Sequence, residues 1–88
     1  NKEWEELIKF SKKLKMKFYV DVFGLKGIQE ISKLKIDGIK IHSTDVNNPK
    51  LLKFATKLKI PILLSTAGCT IAEIDYAITI LSKNELKV

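Results

Sequence analysis

A lysine and four nearby hydroxyl side chains have the types and the spacing of an anion-binding site. Lys40 lies between two isoleucines in an apolar run, and hydroxyls follow it at Ser43, Thr44, Ser65 and Thr66. An ammonium group supplies a point charge and hydroxyls supply short donors, which together suit a phosphate monoester or a carboxylate. Alternatively, the Lys40 stem lies along apolar surface and its charged end extends outward between helices. Both interpretations of Lys40 remain open at this stage.

Three short apolar runs end in small polar residues at equal intervals. Asp21, Ser43 and Ser65 are 22 residues apart, and a helical pattern fills each interval. This spacing predicts a repeat of β/α units with parallel strands. Because parallel strands present their carboxyl ends at one edge, and ligands of barrels and open α/β sheets bind at that edge, these residues are candidates for a functional site.

Three residues at or just beyond the strand ends have both a structural and a chemical interpretation. Asp21 is either a general base or ligand, or a cap for the loop that follows it. His42 is either a structural side chain or a proton carrier on the same face as Lys40. Thr66 belongs to the stretch 65–68, which is either an ordinary turn or an anion-binding turn before a helix.

Hydrophobic periodicity predicts four helices that alternate with three strands, in the order αβαβαβα. Strands are expected at 17–22, 39–43 and 61–64, helical stripes at 2–15, 28–34, 51–58 and 74–81, a loop at Gly24 and Gly27, and the start of a further strand in 84–88. In the first of these stripes Trp4, Leu7, Ile8 and Leu14 recur at helical spacing. Two helix starts have capping signals, namely Asn48 before Pro49 and the capping box of Thr70 and Glu73.

The predicted strands form only part of a closed fold. The strand at 61–64 is apolar on both faces, which indicates a sheet covered on both sides or closed as a barrel. Since three strands cannot close a barrel, open edges and an uncovered inner face are expected. We therefore expect residues 1–88 to be a piece of a longer product, to associate with copies of the same chain, or to be marginally stable.

Composition argues against several classes of function. With 88 residues and a 45% apolar content, one small globular domain is expected, with no membrane span and no secretory leader. The net charge of +6 comes from lysines without any Arg, which favours scattered surface charge over a nucleic-acid patch. A single cysteine, Cys69, indicates a reducing cytoplasm, and one His with one Cys argues against a complete metal site in this chain.

Three motifs occur in a fixed order with fixed gaps. Residues 18–24 are F-Y-V-D-V-F-G, residues 40–48 are K-I-H-S-T-D-V-N-N with two leucines at 51–52, and residues 61–74 are P-I-L-L-S-T-A-G-C-T-I-A-E-I. Over about 16–82 the chain thereby resembles the central barrel segment of the N-acetylneuraminate (sialic acid) synthase family. The corresponding family patterns are F-x-S-T-P-F-D, K-I-A-S-x-D-x-x-N and P-I-x-L-S-T-G-M-A-T-x-x-E-I.

The resemblance implies a transferase of carbohydrate biosynthesis built on a (β/α)8 TIM barrel. Such enzymes condense phosphoenolpyruvate with N-acetylmannosamine or a related sugar and use a divalent ion, Mn or Mg. By this resemblance, Lys40, Ser43 and Ser65 fall on positions that bind the phosphate and carboxylate region of phosphoenolpyruvate. The catalytic Glu and Lys and the metal-binding His pair of the family would lie outside this chain, so the chain alone is expected to be inactive and to bind no cofactor.

Three of the departures from the family patterns bear on the substrate site. Asp21 takes the place of a phosphate-binding Thr, and its charge would repel a phosphate unless Lys40 or a metal offsets it. His42 replaces an Ala, and Ala67 replaces a Gly.

The expectation from the sequence is therefore an internal fragment, residues 1–88, of a sialic acid synthase-like barrel. About three β/α units would contribute part of the phosphoenolpyruvate site, and the remainder of the barrel or a second copy of the chain would complete the fold. The alternative is a non-catalytic, self-associating α/β binding or structural module derived from such a barrel. No nucleic-acid or membrane partner is expected.

Overall fold

A computed structural model describes residues 2–82 and has the predicted order of helices and strands. The elements are α1 (Lys2–Lys13), β1 (Tyr19–Val22), α2 (Gly24–Ile31), β2 (Gly38–Ile41), a 3-10 helix (Ser43–Asp45), α3 (Pro49–Leu58), β3 (Ile62–Leu64) and α4 (Ile71–Ser82). The αβαβαβα order is thus confirmed. The predicted strand in 84–88 lies outside the described residues.

Several predicted boundaries differ from the structure by a few residues, and two of the differences lie at the carboxyl edge of the sheet. The second strand was expected to run to residue 43, but β2 ends at Ile41 and Ser43 begins the 3-10 helix. The predicted loop at Gly24 and Gly27 is instead the first turn of α2. Gly24 has a φ of +70°, which glycine adopts without a steric cost, and the helix continues from there.

The three strands form one parallel sheet in the order β1-β2-β3. β2 is the central strand, and its register aligns Val20, Ile39 and Ile62 across the sheet. Because side chains alternate between the two faces of a strand, this register assigns each residue to one face.

One face of the sheet is buried and the other is uncovered. Side chains at Val22, Ile39, Ile41 and Ile62 are buried in the core with α2, α3 and α4. On the opposite face Leu63 is 53% exposed, so its strand is not covered on both sides within residues 2–82. This is the arrangement of a barrel segment, because the uncovered face of such a segment becomes the interior once the barrel closes.

The first helix is only weakly attached to this core. Of the four apolar residues at helical spacing, only Ile8 is buried. Leu7 and Leu14 are exposed, and Trp4 makes an edge-on contact with Phe18 at 6.2 Å between ring centroids. A helix with apolar residues on two faces has room for a neighbour on the second face.

Two lysines at helix-to-strand junctions have left-handed backbone conformations. Lys15 follows α1 with a φ of 59°, and Lys59 ends α3 with a φ of 53°. This conformation closes a helix well but is costly for a residue with a Cβ atom.

We predict that Lys59→Gly raises the free energy of unfolding by about 0.5–1 kcal/mol, because it relieves the left-handed strain. Lys57→Gly is the matched control: it lies inside α3 and should lower stability by about 1 kcal/mol. Urea denaturation of the protein that carries this segment measures both values. An equal loss of stability in the two variants would contradict the prediction.

Candidate functional site

Lys40 lies near the carboxyl end of the central strand, on the uncovered face of the sheet. Its side chain is exposed, and the register aligns it with Asp21 on β1 and Leu63 on β3. The ammonium group therefore faces the side that helices α2 to α4 leave open. Of the two interpretations of Lys40, an outward position between helices does not occur in this structure.

Asp21 is the penultimate residue of β1 and is exposed beside Lys40. It does not cap the following loop, because the first N–H of α2, at Gly24, donates to Asp45 instead. A carboxylate in the row next to the lysine makes the β1 side of this face the more negative one.

His42 continues the line of β2 beyond its last residue. Its backbone is extended, with φ −69° and ψ 149°, so its side chain keeps the parity of Lys40. The Nδ1 atom lies 3.0 Å from the Thr44 hydroxyl and accepts the Thr44 backbone N–H at 3.4 Å. The imidazole ring also packs on Phe23 with 4.5 Å between the ring centroids.

Ser43 and Ser65 follow the ends of two adjacent strands. Ser65 donates its backbone N–H to the Ile41 carbonyl at 3.0 Å, which extends the pairing of β2 with β3. The Ser43 carbonyl accepts the Val46 N–H at 3.3 Å and lies 3.6 Å from the Cys69 Sγ donor. Both serines are half-buried at the carboxyl edge of the sheet.

Thr66 is exposed in a tight turn that leads to α4. Its carbonyl accepts the Cys69 N–H at 3.0 Å, and Gly68 has a φ of +75° within this turn. Both interpretations of residues 65–68, an ordinary turn and an anion-binding turn before a helix, are compatible with this geometry.

Asp45 has a structural role that the sequence interpretation did not assign. Its Oδ2 accepts the Gly24 N–H at 2.7 Å, and its Oδ1 accepts from the Asn48 side chain at 3.3 Å. A carboxylate at the start of α2 also interacts favourably with the helix dipole. The sequence contains a signal for this role, because Asp45 and Asn48 match the Asp and the Asn of the family pattern K-I-A-S-x-D-x-x-N.

The capping predictions for α3 and α4 are confirmed. Asn48 Oδ1 accepts the Leu51 N–H at 3.3 Å, with Pro49 as the first residue of α3. The Thr70 N–H donates to Glu73 Oε1 at 2.9 Å, and the Glu73 N–H donates to the Thr70 hydroxyl at 3.1 Å. Asn47 donates to the other Glu73 oxygen at 3.4 Å, so this box also connects two loops.

Two features of the described residues bear on cofactors and membranes. Within residues 2–82, no group of three or more His, Cys, Asp or Glu side chains could hold a metal ion. The helices in the same part of the chain are too short or too polar to span a bilayer.

We predict that Asp45→Ala lowers the free energy of unfolding by about 2 kcal/mol, because it leaves the half-buried Gly24 N–H without its acceptor. Asp75→Ala, at an exposed position of α4, is the control and should change stability by less than about 0.5 kcal/mol. Chemical denaturation compares the two variants. An equal change in the free energy of unfolding of the two variants would contradict the prediction, because both remove one negative charge but only Asp45→Ala removes the acceptor of the Gly24 N–H.

We also predict a pH-dependent contribution from the capping box. The pKa of Glu73 lies below the ordinary 4.5, because the Thr70 N–H and then the Thr70 side chain stabilise its carboxylate. Since the unfolded chain takes up this proton first, the contribution is complete above pH 4.5 and is lost as the pH falls through the lowered pKa. When the free energy of unfolding is measured against pH, Glu73→Gln should remove this loss at acid pH, whereas Glu30→Gln on α2 should leave it unchanged.

Comparison with known proteins places the segment in one family. A profile of the NeuB family matches residues 1–88. The chain is 34% identical over 86 residues to the N,N'-diacetyllegionaminic acid synthase of Campylobacter jejuni, which covers 98% of this chain and 26% of that protein. It is 30% identical over 82 residues to an uncharacterized protein of Methanocaldococcus jannaschii, covering 93% of this chain and 24% of that one. The chain thus spans about a quarter of the length of these relatives.

Solved structures share the fold. The N-acetylneuraminic acid (sialic acid) synthetase of Leptospira borgpetersenii, in complex with citrate, superposes with a TM-score of 0.85 at 26% identity, over 97% of this chain and 30% of that one. The spore coat polysaccharide biosynthesis protein SpsE of Bacillus subtilis superposes with a TM-score of 0.82 at 22% identity, over 92% of this chain and 23% of that one. The three parallel strands and their helices therefore have the fold of a TIM-barrel fragment of a sialic acid synthase. By its match to the family profile and by this fold, the chain belongs to the NeuB family.

Proposed function

We propose that residues 1–88 are an internal segment, about three β/α units, of a sialic acid synthase-like TIM barrel. The parent enzyme condenses phosphoenolpyruvate with an N-acetylmannosamine-type sugar, and this segment contributes part of the phosphoenolpyruvate site. The observation that carries the proposal is the exposed Lys40 near the carboxyl end of the central strand, on the face that a closed barrel would enclose.

Lys40, Ser43 and Ser65 are the proposed phosphoenolpyruvate ligands. Lys40 supplies the positive charge, and the serine hydroxyls at the ends of β2 and β3 supply short donors beside it. Thr66 adds an exposed hydroxyl one residue beyond Ser65. This arrangement suits an anion with two charged ends, such as a phosphate and a carboxylate.

Asp21 determines which side of Lys40 the anion occupies. Its carboxylate lies on β1, so it repels an anion on that side and lowers the local positive potential. Ser65 lies on the opposite side, at the end of β3, and Ser43 follows β2 itself. We therefore place the phosphoenolpyruvate at the end of β2 and toward β3, and assign Asp21 the role of limiting the site on the β1 side.

The edges of the segment support its position inside a larger barrel. A cleft of about 520 Å³ lies beside β1 and is lined by Trp4, Val20 and Phe23, among other residues. At the opposite end, Ile71 and Tyr76 of α4 are exposed. Preceding and following β/α units of a barrel would cover these surfaces. The divalent Mn or Mg ion of the synthase reaction is assigned to that remainder, because the resemblance places the metal-binding His pair of the family outside this chain.

A second candidate function is a non-catalytic, self-associating module derived from such a barrel. The observations that favour it are the carboxylate of Asp21 beside Lys40 and the exposed apolar residues Leu7 and Phe10 on α1. For either function, Cys69 is a free thiol, and this supports a reducing cytoplasm as the location.

We predict that Lys40→Ala in the full-length protein weakens phosphoenolpyruvate binding by more than about tenfold, because a charge-assisted contact is lost. Lys53→Ala, exposed on the outer side of α3, is the matched control and should bind as the wild type does. Isothermal titration calorimetry measures both affinities. An unchanged affinity in Lys40→Ala would contradict the assignment.

The two candidate functions differ in the product of the full-length protein. The synthase converts phosphoenolpyruvate and an N-acyl amino sugar into a sugar acid. The non-catalytic module forms no such product with any N-acyl sugar. Sedimentation would then show a defined oligomer whose size does not change when phosphoenolpyruvate is added.

A further inference from the structure

His42 is held from two sides at the mouth of the candidate site. Its Nδ1 atom contacts the hydroxyl and the backbone N–H of Thr44 at 3.0 and 3.4 Å. Phe23, at the start of α2, packs against the other part of the ring at 4.5 Å between centroids. These contacts come from two different loops, so the orientation of the ring depends on the tertiary structure.

The contacts at Nδ1 suit one tautomer of the imidazole ring. A backbone N–H can only donate, and the Thr44 hydroxyl can donate as well, so Nδ1 is placed as an acceptor. The neutral tautomer that fits these contacts has its hydrogen on Nε2, the ring nitrogen farther from Thr44.

The position of His42 relative to Lys40 suits one extended anion. The two residues are two positions apart in extended backbone, which separates them by about 7 Å along the strand on the same face. His42 lies farther toward the carboxyl edge, where Ser65 and the loops begin.

We propose that His42 is a further binding residue of this site, and that its Nε2–H donates a hydrogen bond to an anionic oxygen of phosphoenolpyruvate. The proposal rests on the proposed function, because it takes phosphoenolpyruvate as the ligand. Lys40 supplies the charge, and His42 supplies a directed donor toward the mouth. Thr44 and Phe23 keep that donor in place.

Two substitutions separate the binding role from the structural one. In His42→Asn, the amide oxygen replaces Nδ1 as the acceptor for Thr44, but the distal donor is lost. In His42→Gln, the amide nitrogen reaches the position of Nε2 and restores the donor. We expect His42→Asn to weaken phosphoenolpyruvate binding about tenfold and His42→Gln to recover most of that loss.

The experiment is isothermal titration of the full-length protein with phosphoenolpyruvate, with melting temperatures to verify folding. Wild-type affinity in His42→Asn, or an equal loss in both variants, would overturn the proposal and leave His42 as a loop residue. If His42→Asn does not fold, Thr44→Val is the second test, because it removes the hydroxyl that holds the ring. It should weaken binding about threefold, and unchanged binding would overturn the proposal.

The affinity of Lys40→Ala for phosphoenolpyruvate separates a failure of the inference about His42 from a failure of the proposed function. If Lys40→Ala loses affinity and His42→Asn does not, the inference about His42 fails and the proposed function stands. If Lys40→Ala binds phosphoenolpyruvate normally, the proposed function itself fails.

Discussion

The carboxylate of Asp45 is the contact on which the arrangement at the carboxyl edge depends. It accepts the Gly24 N–H at the start of α2 and also the side chain of Asn48, which in turn caps α3. One side chain thus connects the beginnings of two helices that follow different strands. Because the 3-10 helix between β2 and α3 contains Asp45, this contact also sets where His42 and Ser43 lie.

Two side-chain hydrogen bonds at the carboxyl edge join the third β/α unit to the second. Cys69 Sγ lies 3.6 Å from the Ser43 carbonyl, and Asn47 donates to Glu73 at 3.4 Å. Helices α3 and α4 also pack on each other, so the second and third units share one buried core.

Membership of the NeuB family and the uncovered sheet face lead to the same description of the segment. In a barrel, each strand has one face toward the helices and one toward the interior, and here only the first is covered. The exposed row of Asp21, Lys40 and Leu63 is what a barrel interior looks like when its other strands are absent. The row contains a carboxylate, an ammonium group and one apolar side chain, so it is not the purely apolar row of a packed core.

Local patterns in the sequence determined the order of the elements and the starts of α3 and α4. Asn48 before Pro49 and the pairing of Thr70 with Glu73 act within one turn, so no distant contact was needed to predict them. Alternation along β2 likewise placed Lys40 and His42 on one face. Only the tertiary structure decided which face the helices cover, because that depends on where the crossovers lie. It also decided that Gly24 begins a helix, since the acceptor for its N–H is 21 residues away at Asp45. The same holds for α1, whose apolar residues could have packed on either side until the sheet showed that only Ile8 reaches the core.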